Sequence, residues 1–141
     1  MTVLTAFDAD VLIYTANAGH PLGRRILPLF DTVDEAPIGI GSTLLLPEVL
    51  AKPVRRDPES AEAAALLGLI ARLELRPFDE ATARLATVLA ADYGLRAADA
   101  AHLATAVVAG ADRFLTNNTK DFPRTITDIE VVYPADLPDP G

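Results

Sequence analysis

The sequence predicts an α/β sandwich built on a short-stranded, mostly parallel central sheet. Short apolar segments that suit buried strands alternate with longer segments of helical periodicity. Two of the predicted strands, 3–7 and 113–116, end at polar residues, Asp8 and Thr116. Functional groups of parallel sheets lie beyond the carboxyl ends of the strands, so these two residues agree with the predicted fold.

The predicted elements alternate along the whole chain. In order they are a strand at 3–7, helices at 11–16 and 22–33, a strand at 37–41, a helix around Glu48, a helix at 58–73, a strand at 75–78, helices at 80–93 and 97–109, and strands at 113–116 and 129–133. No internal repeat or linker divides them, so we expect one domain over residues 1–133 and a loose, proline-rich tail over residues 134–141.

Prolines and small polar residues set the expected boundaries in the first half. Pro28 should kink the helix over 22–33, because proline lacks the backbone N–H that a helix interior needs. Ser42 or Thr43 can cap the helix that carries Glu48. Pro47 fits badly inside that helix, which predicts a kink or a late start near Leu46.

Caps and glycines set the boundaries in the second half. Residues 52–58 form a polar loop in this prediction, and Asp57 caps the helix that follows Pro58. Asp79 caps the next helix, and Gly94 ends it. Gly110 ends the helix over 97–109.

Composition restricts the metal chemistry that this chain can support. The 141 residues include no cysteine and only two histidines, so neither a disulfide nor a thiolate or histidine-rich zinc site is expected. Any bound metal must rely on oxygen ligands, which favours Mg²⁺ or Mn²⁺.

Charge and hydropathy restrict the location and the partners. The net charge of −8 argues against broad non-specific binding of nucleic acid over the whole surface. The basic clusters Arg24-Arg25, Lys52 with Arg55-Arg56, and Arg72 with Arg76 are most simply solvated surface. The longest apolar stretch, around 63–71, is too short to span a membrane, and no signal peptide is evident. We therefore expect a cytoplasmic protein.

Three acidic residues interrupt apolar segments far apart in the chain. Asp8 follows an apolar strand, Glu48 stands between leucines and valines, and Asp99 lies in an alanine-rich helix. Carboxylates in apolar surroundings cost folding free energy unless something compensates them. Convergence on a divalent cation would compensate all three, and the reaction that suits such a site best is phosphodiester hydrolysis.

Each acid also has a purely structural explanation. Asp8 or Asp10 can cap a helix, and Asp99 lies near a helix N-terminus, where the dipole favours negative charge. His102 shares a helix face with Asp99, and structural packing explains it better than catalysis. The inference therefore depends on the acids jointly.

Four segments together resemble the PIN-domain nucleases, specifically the small toxin ribonucleases of VapC type. They are Phe7-Asp8-Ala9-Asp10-Val11-Leu12-Ile13-Tyr14, Leu46-Pro47-Glu48-Val49-Leu50, the stretch 95–106 around Asp99, and 110–118 with Asp121-Phe122. The third segment is the most specific. Order, spacing and length agree over nearly the whole chain.

The resemblance implies a PIN-like α/β/α sandwich and an Mg²⁺- or Mn²⁺-dependent endoribonuclease. By position, Asp8, Glu48 and Asp99 would bind the metal, and a hydrogen bond from Thr116 would orient Asp8. It also implies a homodimer, an RNA substrate and a cognate antitoxin whose C-terminal segment occupies the active-site groove.

Two positions depart from the pattern of the family. Asp10 stands where many relatives have asparagine or serine, and Asn118 stands where many have aspartate. Asparagine still offers an oxygen but carries no charge, so Asp121 is the candidate for a fourth acid. A weakened or degenerate site is one consequence of this change.

Two alternatives stay open on the sequence. Asp8-Ala9-Asp10 also resembles the motif of haloacid-dehalogenase-type phosphatases, in which Asp8 would be a covalent nucleophile and Asp10 the acid and base. The motif lacks the usual threonine or valine at Leu12 and has no later pair of aspartates. The other alternative is a PIN-like fold that serves as a binding module without catalysis.

Overall fold

Five short parallel strands form the central sheet of this protein, whose computed structural model describes residues 3–141. The strands are β1 (Thr5–Phe7), β2 (Gly39–Ser42), β3 (Leu73–Arg76), β4 (Arg113–Leu115) and β5 (Glu130–Val132). They are arranged in the order β3-β2-β1-β4-β5, and every neighbouring pair is parallel. The predicted α/β class with a short-stranded parallel sheet is confirmed.

Helices cover both faces of the sheet. They are α1 (Ala9–Ala16), α2 (Pro21–Ile26), α3 (Leu45–Arg56), α4 (Ala61–Ile70), α5 (Glu80–Tyr93) and α6 (Ala97–Val108), with 3-10 turns at Leu27–Phe30 and Pro134–Asp136. None of the helices in residues 3–141 combines the length and the apolar character that crossing a membrane requires.

Side chains that alternate between the two faces of the sheet produce two separate hydrophobic cores. Ala6 of β1 and Phe114 of β4 belong to the core under α5 and α6, whereas the next residues, Phe7 and Leu115, belong to the core under α1 to α4. Successive side chains of a strand point to opposite faces, so both faces of these strands are buried. The three-layer sandwich follows from that pattern.

Two predicted boundaries in the first half are wrong, and the predicted late start of α3 is confirmed. The helix expected over 22–33 is the short α2 followed by a 3-10 turn, because Pro28 cannot donate the next helical hydrogen bond. Helix α3 has no side-chain cap, and Ser42 Oγ instead accepts from Leu44 N at 3.1 Å. The helix does begin late, at Leu45, which leaves Pro47 in its first turn, where no N–H is needed.

Three further boundaries are displaced on either side of α4. The loop expected at 52–58 is helical as far as Arg56, because Leu45, Val49 and Pro53 form a continuous buried stripe that outweighs the missing N–H of Pro53. Ser60 rather than Asp57 caps α4, through a hydrogen bond from Ala63 N to Ser60 Oγ of 3.1 Å. Strand β3 begins two residues before the predicted strand 75–78.

The predicted caps of α5 and α6 are confirmed. Asp79 Oδ1 accepts from Thr82 N at 2.9 Å at the start of α5. Gly94 has a φ of 67° and Gly110 a φ of 73°, in the left-handed region that favours glycine. The stops of both helices were therefore correctly placed on these glycines.

The C-terminal tail is held more firmly than its three prolines suggested. Leu137 is only 5 % exposed, and Arg25 Nη1 donates to its carbonyl oxygen at 2.7 Å. Arg24 Nη2 donates to the Gly141 carbonyl oxygen at 2.9 Å. Because both arginines belong to α2, the tail packs on that helix.

Candidate active site

Asp8 is the central acid of the site and follows β1, the middle strand of the sheet. Its side chain is buried, and Asp8 also caps α1, because its Oδ1 accepts from Ala9 N at 2.8 Å. Its Oδ2 accepts from Thr116 Oγ1 at 2.7 Å. Burial raises the pKa of Asp8, which indicates that these hydrogen bonds and the nearby His102 do not fully offset the loss of water.

Thr116 reaches Asp8 because β4 is the parallel neighbour of β1. Thr116 immediately follows β4, is completely buried, and lies at the same edge of the sheet as Asp8. Its Oγ1 also accepts from Asn118 N at 3.1 Å. The hydroxyl group therefore connects the carboxylate after β1 to the loop after β4.

Asn118 and Asp121 form a closed turn in that loop. Asn118 Nδ2 donates to Asp121 Oδ2 at 2.9 Å, and Asp121 N donates to Asn118 Oδ1 at 3.3 Å. The nitrogen and the oxygen of the Asn118 side-chain amide therefore both bond inside the turn, where they orient the Asp121 carboxylate. Asp121 is close enough for its charge to raise the pKa of Asp99.

Asp99 lies in the first turn of α6 and is partly exposed. Small residues let this helix pack closely on the sheet: Ala100, Ala101, Ala104 and Ala106 are all buried. Partial burial raises the pKa of Asp99, and the charges of Asp8, Asp121 and Glu48 raise it further. Helix α6 thus brings Asp99 into the electrostatic range of the other acids.

Glu48 lies in the first turn of α3 and is bound by His102 of α6. Its side chain is 38 % exposed, more than its apolar neighbours in sequence suggested, because it points away from the buried stripe of α3. Glu48 Oε2 and His102 Nε2 are 2.5 Å apart. The hydrogen bond to His102 lowers the pKa of Glu48.

His102 is more than a packing residue. It is buried, as expected, and burial lowers its pKa. The hydrogen bond to Glu48 and the charges of Asp8, Glu48 and Asp99 outweigh burial, so that the pKa of His102 is raised overall. No local sequence pattern predicts this contact, because it joins residues of two helices 54 positions apart.

Asp10 is a further residue of the site, outside the predicted metal-binding and catalytic residues. Its Oδ2 accepts from Asn117 N at 3.0 Å, which ties α1 to the loop after β4. Its Oδ1 is buried and has no hydrogen-bond partner within residues 3–141. Burial, followed by the charge of Asp8, raises the pKa of Asp10 to about 7. Its spacing of two residues from Asp8 was the available signal.

These side chains have the donor chemistry of a hard-cation site. All the carboxylates offer oxygen ligands, and no lysine or arginine of residues 3–141 forms an ion pair with Asp8, Asp10 or Asp99. Within that range, no three acidic or histidine side chains are grouped closely enough to hold one ion as they stand. Binding of one shared ion therefore requires adjustment of some of these side chains.

A groove adjoins the site on the side of Glu48. Its volume is about 630 Å³, and it runs between α1, α3 and α4. Ile13, Val49 and Leu66 give it an apolar part, whereas Lys52 and Arg56 follow Glu48 along α3. Arg56 is paired with Glu62, which also lines the groove, at 3.9 Å. The groove therefore offers apolar contacts and the positive charge of Lys52 beside Glu48.

The chain belongs to the PIN-domain family, since the PIN domain model matches residues 6–126. That range includes Asp8, Glu48, Asp99, Thr116 and Asp121. The resemblance to PIN domains is confirmed, and the haloacid-dehalogenase alternative receives no support. A comparison with curated proteins finds no significant match.

Solved structures of toxin–antitoxin complexes contain chains of the same fold. A toxin–antitoxin complex from Klebsiella pneumoniae has a chain 25 % identical, with a TM-score of 0.71 and coverage of 94 % of this chain and 98 % of that one. DNA-bound VapBC from Salmonella typhimurium has a chain 20 % identical, with a TM-score of 0.72 and coverage of 94 % of this chain and 99 % of that one. VapBC2 from Rickettsia felis, bound to a promoter DNA fragment, has a chain 17 % identical, with a TM-score of 0.69 and coverage of 93 % of this chain and 98 % of that one.

Replacing Asp10 should change the pH dependence of folding stability. The pKa of Asp10 is about 7 in the folded protein, against an ordinary value of 3.8. The folded protein therefore holds the proton more tightly, and its free energy of unfolding falls as the pH rises towards 7. Asp10→Asn removes this titration, so its stability advantage over wild type should grow by roughly 2 kcal/mol between pH 5 and pH 8.

Urea unfolding in EDTA across this pH range measures the effect. Asp92→Asn, on the exposed surface of α5, corrects for the general loss of one negative charge. A stability difference between Asp10→Asn and wild type that stays constant with pH, or that changes as it does for Asp92→Asn, would contradict the raised pKa of Asp10.

Proposed function

We propose that this protein is a metal-dependent endoribonuclease that hydrolyses RNA phosphodiester bonds. The observation that carries the proposal is the set of acids at the carboxyl edge of the sheet. Asp8, Asp10 and Asp99 come from different positions in the chain, and the charge of a neighbouring acid raises the pKa of each. A bound cation would remove the cost of assembling such a cluster.

In this proposal, Asp8, Glu48 and Asp99 hold Mg²⁺ or Mn²⁺. Such an ion lowers the pKa of a bound water and stabilises negative charge on a phosphoryl oxygen. The chain's own residues prepare the site: Thr116 fixes one oxygen of Asp8, and Asn118 orients Asp121 as the fourth acid. The unpartnered Oδ1 of Asp10 adds a buried carboxylate oxygen beside them.

The groove beside Glu48 suits an RNA strand. Lys52 lies one helical turn after Glu48 on α3, and it has no ion pair within residues 3–141. Its ammonium group can attract a phosphate next to the scissile bond. The overall charge of −8 makes this local positive charge important for binding an anionic substrate.

A binding module without catalysis is the second candidate. The observation in its favour is Asn118, whose amide is fully used in the turn with Asp121 and brings no charge to the site. Retention of Asp8, Glu48 and Asp99 around one edge favours the nuclease. The two candidates differ in whether RNA is cut once metal is supplied.

Asp99→Asn should abolish metal-dependent RNA cleavage. The variant keeps the shape of the side chain but removes the charge of one proposed ligand, so we expect a loss of at least about 100-fold in cleavage rate. The measurement follows cleavage of labelled RNAs, including tRNA, by purified protein with Mn²⁺, Mg²⁺ or EDTA.

Asp92→Asn serves as the matched control, because Asp92 is exposed on α5. It should cut RNA as the wild type does. Metal-dependent cutting that persists in Asp99→Asn would exclude Asp99 from the site. Wild-type protein that binds Mn²⁺ but cuts none of the RNAs would favour the binding module.

We further infer that this chain is the VapC-type toxin of a toxin–antitoxin pair and forms a homodimer in the cytoplasm. The matching structures are of VapBC and other toxin–antitoxin complexes, and the chain covers nearly their full matched chains. The apolar part of the groove fits a segment of an antitoxin, which would then block access to Glu48. Leu67 and Val88, exposed on α4 and α5, are candidates for the dimer surface.

Ile13→Glu should weaken antitoxin binding without dissociating the dimer. Ile13 lines the groove and is 46 % exposed, so a charge there should disturb an apolar contact without disrupting the core. We expect at least about a tenfold loss of affinity for the cognate antitoxin. Sedimentation measures both the complex and the dimer. Val108→Glu is the control, because Val108 is exposed on α6 and lies outside both the groove and the candidate dimer surface.

A monomer mass for the wild-type protein would contradict the homodimer. Antitoxin binding that Ile13→Glu leaves unchanged would place the antitoxin elsewhere on the surface.

A further inference from the structure

We propose that His102 is a positioning residue that fixes Glu48 for metal binding. The proposal rests on the metal-dependent function inferred above and goes beyond it, since it gives a task to a residue that offers no ligand itself. It begins from the contact of His102 Nε2 with Glu48 Oε2, at 2.5 Å.

His102 is anchored and its partner is not. The imidazole is 1 % exposed and belongs to α6, which packs against the sheet, whereas the Glu48 side chain is 38 % exposed. A glutamate at the surface of a helix normally samples several rotamers, and ordering it costs conformational entropy. The buried ring supplies a fixed donor that selects one arrangement of Glu48 before any metal arrives.

The hydrogen bonds of His102 are hard to explain by packing alone. Its Nδ1 is buried and has no hydrogen-bond partner within residues 3–141, so the ring loses a hydrogen bond that water would provide. Its one polar contact in that range is to Glu48. Leucine would fill an apolar site in α6 without this loss. The hydrogen bond of Nε2 to Glu48 is therefore the best explanation for a histidine at this position.

The remaining oxygen of Glu48 is available to a ligand. Oε2 is bound by His102, whereas Oε1 forms no hydrogen bond with any residue of 3–141. Carboxylates that bind metals are commonly held by a hydrogen bond from a neighbouring group, which sets their orientation. Asp99 and His102 are one turn apart, so α6 would contribute one proposed ligand directly and fix a second on α3.

Two amide variants separate positioning from simple packing. The Nε2 of glutamine lies the same number of bonds from Cα as the Nε2 of histidine, so His102→Gln can still donate to Glu48. The nitrogen of asparagine corresponds to Nδ1 and falls short. Both are neutral amides of similar polarity, and His102→Leu provides an apolar replacement.

Isothermal titration with Mn²⁺ at one fixed pH gives the decisive readout. We expect His102→Asn and His102→Leu to weaken Mn²⁺ binding by about 10- to 100-fold, whereas His102→Gln stays close to wild type. Thermal unfolding in EDTA tests whether each variant is folded. In a Glu48→Gln background, His102→Asn should have no further effect on Mn²⁺ affinity, because the two residues would act through one carboxylate.

Four results would overturn the proposal, and the last of them would also overturn the proposed function. Equal Mn²⁺ affinity in wild type and all folded His102 variants would overturn it, as would a loss in His102→Gln as large as in His102→Asn. An undiminished effect of His102→Asn in the Glu48→Gln background would also do so. Wild-type protein that binds no Mn²⁺ would overturn the proposed function as well.

Discussion

The burial of the Asp8 carboxylate at the end of the central strand is the constraint on which the rest of the site depends. A charged group removed from water needs compensating hydrogen bonds, and Asp8 receives them from Thr116 and from the first N–H of α1. Both donors are available only because β1 and β4 are parallel neighbours and α1 begins immediately after β1. Burial nevertheless raises the pKa of Asp8, so the compensation is incomplete.

The other acids increase this electrostatic cost. Two unit charges 4 Å apart repel by about 4 kcal/mol at an effective dielectric constant near 20. Within residues 3–141, the imidazole of His102 contacts Glu48 of the cluster, and no lysine or arginine pairs with the aspartates at the centre. An arrangement of this kind destabilises the protein unless a cation binds there, and this electrostatic cost is the reason for proposing a metal site.

Local chemistry determined the parts of the fold that could be predicted. Asp79, Gly94 and Gly110 end or begin helices through contacts within a few residues, so their sequence context was sufficient. The strand–acid junction at Asp8 was predictable for the same reason. Helix α3 was not, because its continuation through Pro53 depends on a buried stripe that packs against other elements.

The same distinction divides the candidate site. Asp8 and Thr116 could be placed together from the general rule for parallel sheets. The pairing of Glu48 with His102 depends on how α3 and α6 meet, and no local pattern encodes that distance. The hydrogen bond between Asp10 and Asn117 likewise joins residues 107 positions apart. Tertiary contacts therefore decide which acids are restrained and which remain free to bind a ligand.

Anomalous diffraction from crystals grown with Mn²⁺ tests the central claim most directly. The account predicts a manganese peak in ligand contact with Asp8 and Asp99, with Glu48 as the third carboxylate of the same site. Crystals grown at saturating Mn²⁺ that show no manganese peak at the carboxyl edge of the sheet, or that bind manganese only elsewhere on the surface, would contradict it.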